Sequence, residues 1–433
     1  MKDLHQMAWS SREAALTLAA APLAVRNAAL LAMADTLQAR KDDIFAANEA
    51  DMAQAQADGL AAPLLKRLTF REEKLQAVSD GLRALAALPD PIGQTTYARE
   101  ITEGLRLYRV ACPIGVIGVI FESRPDALVQ IASLALKSGN AVLLKGGREA
   151  LRTNQALCSC LRDAAEQAGL PADFAQLLTT RDDVAAMLKE DELIDLIIPR
   201  GSNAFVRYIM DNSRIPVLGH ADGVCHVYVD AEADLDMAVR IAVDSKAQNV
   251  SVCNAMETLL VHRDVAEAFL PKLLPAMQAK GVRLLGDDAV RAVIPVEAAT
   301  EEDWSAEYLN YTLSIRVVPA LDEAIHHINR YGSGHTDCIV TRDDEAARRF
   351  LALVDSAGVY HNVSTRFADG FVYGFGAEVG IATGKIHARG PMGLEGLTTY
   401  KYKLLGSGQL MAEMKSGARQ YTHTLLNEEC PLQ

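Results

Sequence analysis

The segment from residue 113 to residue 200 alternates buried strands with helices, and this alternation restricts the folds open to the chain. The pattern predicts, in chain order, a strand at 116–121, a helix at 125–138, a strand at 141–145, a helix at 153–168, and strands at 176–180 and 193–198. A βαβα run of this kind predicts a parallel sheet covered by helices on both faces. A second α/β stretch begins near Cys225.

Polar residues follow three of the predicted strands. These are Glu122-Ser123-Arg124, Lys145-Gly146-Gly147-Arg148 and Pro199-Arg200-Gly201-Ser202. Ligands of parallel α/β sheets bind beyond the carboxyl ends of the strands, so these segments predict a nucleotide cofactor. No G-x-G-x-x-G string follows the first strand, and the common Rossmann fingerprint is therefore disfavoured.

The composition excludes several classes of protein. A chain of 433 residues is long enough for two or three domains, and its net charge of -13 argues against nucleic-acid binding, which needs a basic face. No apolar run reaches the roughly 18 residues that span a bilayer, and no export signal is predicted. The seven cysteines are scattered, so neither a disulfide framework nor a metal site is predicted. We expect a cytoplasmic protein with reduced thiols.

A small β element is predicted apart from the helical first ninety residues and the two α/β stretches. Alternating runs on either side of Glu103-Gly104 predict a hairpin, and Arg419–Leu425 is also strand-like. A hairpin has too little apolar surface to be stable alone. We therefore expect this element to pack on another domain or subunit, as in a homo-oligomer.

Cys253 is the strongest candidate for a catalytic side chain. It lies on a polar loop between a predicted helix and a predicted strand, where a thiolate can reach a substrate and be stabilised by backbone N–H groups. A small core residue is the alternative interpretation. The 374–396 segment mixes glycines with Lys385 and Arg389, and it is either a tight surface loop or a preformed anion site.

The order of these features resembles the aldehyde dehydrogenase superfamily over nearly the whole chain. Residues 113–120 are similar to its P-x-G-V strand, and 140–145 to its N-x-V-x-x-K strand. Gly201-Ser202 matches its G-S turn, Leu218-Gly219 the strand that enters its catalytic domain, and Cys253 its nucleophile. The resemblance implies an α/β fold with a Rossmann-type cofactor domain, an α/β catalytic domain and a small β oligomerisation element.

The resemblance also implies where each domain lies and which residues bind the cofactor. The cofactor domain comprises 1–92 and 113–224, the catalytic domain 225–392, and the bridging element 93–112 and 410–433. The family pattern assigns the adenosine ribose to Lys145, the pyrophosphate to Gly201 and Ser202 at a helix N-terminus, and the nicotinamide ribose to Glu307.

Two departures from the family pattern narrow the reaction. Hydrolytic members have a glutamate before the L-G pair, as the base that activates water, whereas this chain has Val217. Without that base we expect an acyl partner other than water, and inorganic phosphate fits. The family's oxyanion-binding asparagine is replaced by Ser123. The oxyanion is then expected to bind the Cys253 backbone N–H, with help from Ser123 or Asn254.

Three longer strings resemble the branch of the superfamily that reduces γ-glutamyl phosphate. They lie at 318–339, 366–370 and 385–391. This resemblance implies NADPH-dependent reduction of L-glutamyl 5-phosphate to L-glutamate 5-semialdehyde in proline biosynthesis, and it suggests functional coupling to glutamate 5-kinase. The alternatives are a different acyl-phosphate or acyl-CoA reductase and a non-catalytic scaffold on the same fold.

The implied substrate carries a phosphate and a carboxylate, so it needs at least two cationic or N–H-rich sites. The candidates, which the sequence does not divide between the two anions, are Arg124, Arg200, Ser364, Thr365, Arg366, Lys385 and Arg389. Arg148 stands three residues after Lys145, where NAD-using relatives often have a glutamate. Two cations at that place favour NADPH, because its 2′-phosphate is negatively charged.

Overall fold

The computed structural model describes residues 3–122, 124–179, 182–219, 222–376 and 378–432. The chain divides into two compact units. The first comprises Met1–Leu218, Gly376–Gly380 and Met392–Gln433, and the second comprises Gly219–Phe375 and Ile381–Pro391. Each unit contains a parallel sheet with helices, which is the α/β class predicted from the sequence.

The helices are α1 (Leu4–Ala20), α2 (Leu23–Ala39), α3 (Lys41–Ala57), α4 (Ala62–Leu68), α5 (Glu72–Ala87), α6 (Pro125–Lys137), α7 (Leu151–Gln167), α8 (Asp182–Met187), α9 (Asn203–Asn212), α10 (Leu235–Ala247), α11 (Arg263–Gln278), α12 (Asp288–Val293), α13 (Leu321–Tyr331), α14 (Asp344–Leu353) and α15 (Met411–Ser416). The strands are β1 (Thr95–Thr102), β2 (Leu105–Pro113), β3 (Val116–Phe121), β4 (Ala141–Lys145), β5 (Ala175–Leu177), β6 (Leu196–Arg200), β7 (Cys225–Val229), β8 (Met256–His262), β9 (Arg283–Gly286), β10 (Glu297–Ala298), β11 (Thr312–Val318), β12 (Thr336–Val340), β13 (Gly358–His361), β14 (Gly380–Ala382), β15 (Gly390–Met392), β16 (Thr398–Leu405) and β17 (Thr424–Leu426).

The parallel sheet of the first unit has the strand order β5-β4-β3-β6. Strands β3 and β4 are buried along their whole length, as continuous Val, Ile and Leu runs in a two-faced sheet require. Both strands lie where the sequence predicts them. Ile120 pairs with Lys145 and Phe121 with Arg200, so the polar segments that follow these strands share one edge of the sheet.

The amino-terminal helices supply part of the core of the first unit. Leu18 of α1 and Leu30 and Met33 of α2 are fully buried. Within the described ranges, no single helix is long and apolar enough to cross a membrane. Helices α1 and α2 meet that length only when taken together, across a bend of 119°.

The first unit also holds an antiparallel sheet with the order β16-β2-β1-β17. The predicted hairpin is confirmed, with Gly104 at φ +72 in the turn between β1 and β2. The predicted bridging element, 93–112 and 410–433, does not include β16, which forms the longest strand pairing with this hairpin. Strand β16 pairs with β2 from Thr398 to Leu405, and its alternating Thr, Tyr and Lys residues are typical of an edge strand. Among residues 410–432, which the structure describes, strand pairing is limited to β17.

The second unit is built on a parallel sheet with the order β10-β9-β11-β8-β7-β12-β13. Strand β7 pairs with β8 on one side and β12 on the other, so the segments before β8 and β12 reach the same edge. The sequence predicts that this unit begins at residue 225, but the compact unit begins at Gly219. The difference arises because Gly223, which precedes β7, packs against Cys253 of the same unit.

Candidate active site

Cys253 lies on the loop between α10 and β8, as predicted, and its side chain is partly exposed. A turn closes around it, because the Ala255 N–H donates to Val252 O at 3.1 Å. Gly223 packs against this turn so closely that a Cβ there would lie 2.2 Å from the Cys253 carbonyl oxygen. Any side chain at position 223 would therefore displace the loop that carries the thiol.

The nucleophile candidate contacts His335, which sequence reasoning missed. His335 Nε2 lies 3.2 Å from Cys253 Sγ, and His335 Nδ1 lies 2.9 Å from the Thr336 hydroxyl. His335 is only 1% exposed, and the contact of its Nδ1 with the Thr336 hydroxyl fixes the orientation of the ring. A base within hydrogen-bond distance, oriented in turn by a third group, is the arrangement that activates a nucleophile. His335 lies inside the string at 318–339 that carries the family resemblance.

Buried hydrogen bonds connect the Cys253 loop to residues 364–368. The Thr365 hydroxyl donates to Asn254 O at 2.7 Å, and the Asn254 amide donates to Ala368 O at 2.9 Å. Ser364 lies 3.1 Å from the Ser245 hydroxyl. The predicted oxyanion donor Asn254 and the predicted substrate residue Thr365 thus hold the loop in place, and Ser364 joins the same segment to α10. Their direct contact with substrate stays a prediction.

Arg366 is the predicted substrate cation that the structure brings to Cys253. Its Nε donates to Gln248 Oε1 at 2.9 Å, at the start of the same loop. Partial burial lowers the pKa of Arg366, and the negative charge of a Cys253 thiolate opposes that shift. A guanidinium in this position can attract an anionic substrate and stabilise the thiolate.

The two cations of the 374–396 segment share one acidic partner. Lys385 forms an ion pair with Asp355, and Arg389 donates to Asp355 Oδ1 at 3.2 Å and to its backbone oxygen at 3.0 Å. The Lys385 and Arg389 contacts lower the pKa of Asp355 below its usual range. Lys385 and Asp355 are exposed, whereas Arg389 is partly buried. This cluster supports the interpretation of residues 374–396 as a tight surface loop. Substrate binding by Lys385 or Arg389 stays a prediction.

The other two candidate substrate arginines belong to the first unit. Arg124 donates to Asp126 Oδ2 at 2.9 Å in the first turn of α6. Arg200, at the end of β6, donates to the backbone oxygen of Val379. These contacts are with the protein itself, so a role in substrate binding stays a prediction for both residues. Ser123, proposed for the oxyanion, lies outside the described residues.

The predicted cofactor residues of the first unit share one edge of its parallel sheet. Lys145 ends β4, with its ammonium 2.7 Å from Gly146 O, and Arg148 is exposed in the turn that follows. Gly201 and Ser202 lie between β6 and α9, with Ser202 as the N-cap. A Cβ at Gly146 would lie 2.3 Å from the Asn154 side chain, and one at Gly201 would lie 3.0 Å from Phe205.

Glu122, which sequence reasoning did not single out, reaches the N-terminus of α9. Its carboxylate accepts a hydrogen bond from the Ser202 backbone N–H, in the place that the family pattern assigns to a pyrophosphate. Burial and the nearby Glu149 carboxylate raise the pKa of Glu122, and the bond from Ser202 opposes them. The helix N-terminus thus binds an anionic group of the chain itself.

Glu307, the remaining predicted cofactor ligand, lies in the second unit on the segment before β11. It is partly buried, and the backbone N–H of Leu309, two residues later, donates to Glu257 Oε1 at 3.3 Å. Among the described residues, no group of three or more His, Cys, Asp or Glu side chains is arranged to hold a metal ion.

Comparison with known proteins identifies the family of this chain. The model described as "Aldehyde dehydrogenase family" matches residues 1–290. The chain belongs to the aldehyde dehydrogenase family. A protein of Acetivibrio thermocellus named gamma-glutamyl phosphate reductase is 56% identical over 430 residues, covering 99% of this chain and 100% of that protein. One of Pelotomaculum thermopropionicum with the same name is 57% identical over 427 residues, covering 99% and 98%.

A solved structure gives the same family assignment. The crystal structure of a gamma-glutamyl phosphate reductase from Thermotoga maritima is similar to this aldehyde dehydrogenase family member with a TM-score of 0.93. The two chains are 39% identical, and the match covers 94% of this chain and 100% of that chain. The superfamily and the narrower branch predicted from the sequence are both confirmed.

Replacing His335 tests whether this histidine activates Cys253. His335→Gln removes the imidazole but keeps a polar side chain, so at pH 7 we expect iodoacetamide to alkylate Cys253 about tenfold more slowly. Mass spectrometry of the Cys253 peptide measures the rate. His326→Gln changes an exposed histidine of α13 and should keep the parent rate. An unchanged rate in His335→Gln would contradict activation by His335.

Proposed function

We propose that this aldehyde dehydrogenase family member reduces L-glutamyl 5-phosphate to L-glutamate 5-semialdehyde and phosphate, with NADPH as reductant and a thioacyl intermediate on Cys253. The contact between Cys253 and His335 carries the proposal, since it supplies an activated nucleophile. The names of the relatives from Acetivibrio thermocellus and Pelotomaculum thermopropionicum support the acyl group and the direction of the reaction. The reaction would serve proline biosynthesis.

The first step forms the thioester. His335 accepts the Cys253 proton, and the thiolate attacks the acyl carbon of the substrate. The bond from that carbon to the phosphate oxygen then breaks, and phosphate leaves with the bonding electrons. Phosphate is a good leaving group and needs no general acid. Arg366, beside the Cys253 loop, is placed to attract the departing anion.

The second step returns the thiol to its starting state. Bound NADPH would supply the hydride that reduces the thioester carbon. The thiohemiacetal oxyanion that results collapses, the carbon–sulfur bond breaks, and the aldehyde leaves Cys253 as a thiolate, which takes back the proton held by His335. No water is consumed, which fits the valine at position 217, where hydrolytic relatives have their base.

The residues at the sheet edge of the first unit suit a dinucleotide. Gly146 and Gly201 let the backbone at this edge pass close to Asn154 and Phe205, where a Cβ would collide, and Ser202 offers a backbone N–H at the start of α9. A bound pyrophosphate would take the place of the Glu122 carboxylate at that N–H. Lys145 and Arg148 would bind the adenosine ribose and its 2′-phosphate, and Glu307 the nicotinamide ribose.

We further propose a cytoplasmic homo-oligomer that is functionally coupled to glutamate 5-kinase. The odd number and scattered spacing of the seven cysteines support a reducing compartment. Strand β16 exposes Tyr400, Tyr402 and Leu404, which supports association of the β element with another copy. Coupling to the kinase follows from the lability of an acyl phosphate in water.

The reverse reaction tests the proposed chemistry. Because position 217 lacks a base for water, NADP⁺ reduction by L-glutamate 5-semialdehyde should require added phosphate or arsenate as the acyl acceptor. The measurement is the rise in absorbance of NADPH with and without each anion. Cys253→Ser is the control and should abolish the rate under both conditions. Equal rates without either anion would mean that water is the acceptor and that the proposal is wrong.

Arg148 tests the choice of cofactor. Arg148→Glu places a negative charge beside the 2′-phosphate, so we expect the ratio of kcat/KM for NADPH over NADH to fall by about tenfold or more. Lys189→Glu makes the same charge change at an exposed site on the connection that leads to the amino end of β6, and should leave the ratio unchanged. A ratio that is the same in Arg148→Glu and the parent would rule out this role.

A further inference from the structure

A fully buried ion pair joins the two ends of the loop that carries Cys253. Lys246 lies in the last turn of α10, and Glu257 is the second residue of β8. The Lys246 ammonium donates to Glu257 Oε2, and the side chains of both residues are 0% exposed. No step of the proposed reaction uses either side chain.

The second oxygen of Glu257 reaches a different segment. Glu257 Oε1 accepts from the Leu309 backbone N–H at 3.3 Å, and Leu309 has a left-handed φ of 53°. The Ser314 hydroxyl donates to the Glu257 backbone oxygen at 3.1 Å, which fixes the start of β11 to the same strand. One carboxylate thus contacts both the end of the Cys253 loop and the segment that contains Glu307.

The charges around the pair come from these same segments. Lys246 faces Glu257 and Glu307, and its ammonium lies 5.8 Å from the ring centre of Tyr308. Burial raises the pKa of Glu257 to about 7, against the attraction of Lys246. Burial also lowers the pKa of Lys246. The raised pKa of Glu257 and the lowered pKa of Lys246 both indicate that burying these charges costs free energy. A contribution to stability alone therefore does not explain why the pair is present.

We propose that the Lys246–Glu257 pair is a positioning device that holds the Cys253 loop and the Glu307 segment in a fixed relation within the second unit. The proposal rests on the proposed function in one respect, the role of Glu307 toward the nicotinamide ribose. Hydride transfer needs donor and acceptor atoms placed to a fraction of an ångström, and a misplacement of about 1 Å can cost on the order of 100-fold in rate. A link between the two segments supplies that alignment.

Two double variants separate the two contacts of Glu257. Lys246→Met with Glu257→Gln removes both charges but keeps an amide oxygen for the Leu309 N–H. Lys246→Met with Glu257→Met removes that acceptor as well, at similar side-chain volume. Neither leaves a buried charge without a partner, which is the main cause of misfolding when one member of such a pair is changed.

The proposal predicts a different result for each double variant. Both should slow iodoacetamide alkylation of Cys253 and reduce kcat by about tenfold, because the loop loses its closure. Only the variant with methionine at 257 should also raise the KM for NADPH, by about tenfold, because only it frees the Glu307 segment. Equal KM values in the two variants, or parent-like alkylation in both, would overturn the proposal.

A milder variant keeps the test decisive if the double variants fold poorly. Glu257→Asp retains the charge but withdraws the carboxylate by one methylene, and should raise the KM for NADPH about threefold at an unchanged melting temperature. An unchanged KM in this folded variant would overturn the proposal. Lys272→Met with Asp236→Asn removes an exposed ion pair at the other end of α10 and should match the parent in every readout.

The parent protein separates failure of this inference from failure of the proposed function. If the parent neither binds NADPH, measured by its fluorescence, nor catalyses the reaction, the proposed function is wrong. Cys253 alkylation then still tests the closure of the loop, because that rate is measured without cofactor. A parent that is active, together with variants that keep its alkylation rate and KM, would reject the positioning role alone.

Discussion

The parallel pairing of β7 with β8 and β12 is the constraint on which the candidate site depends. Parallel strands that share a neighbour start at the same edge of a sheet, so the residues just before β8 and β12 lie close together. Cys253 and His335 occupy those positions. They are 82 residues apart in sequence, yet Cys253 Sγ lies 3.2 Å from His335 Nε2. Gly223, before β7, completes the edge because no other residue leaves room for the Cys253 turn.

The proposed reaction depends on the contact between Cys253 and His335 and on the absence of a glutamate at position 217. A thiol beside an imidazole can form a thioester with many acyl donors, and by itself does not distinguish hydrolysis from reduction. The family resemblance places the glutamate that activates water at position 217, where this chain has valine. The buried Lys246–Glu257 pair near this site costs free energy because both charges are removed from water. Proteins often retain such local destabilisation at functional sites.

The sequence predicts the elements well where its patterns are local. The apolar runs of β3 and β4 and the Glu103-Gly104 turn lie where periodicity and turn chemistry put them. Strand β16 lies outside the predicted β element, which resumes only at residue 410, although the alternation of Thr, Tyr and Lys at 398–405 is a local strand pattern. The contact of His335 with Cys253 depends on the register of three strands, and no local pattern carries that information.

The glutamyl thioester on Cys253 is the central claim, and trapping it is the most direct test. The protein is mixed with L-glutamate 5-semialdehyde and NADP⁺ in phosphate-free buffer, and its peptides are analysed by mass spectrometry. We predict a burst of NADPH that stops at about one equivalent per chain, with a glutamyl group on the Cys253 peptide that added phosphate removes. Continuous NADPH formation with Cys253 unmodified, or a glutamyl group on another residue, would contradict the account.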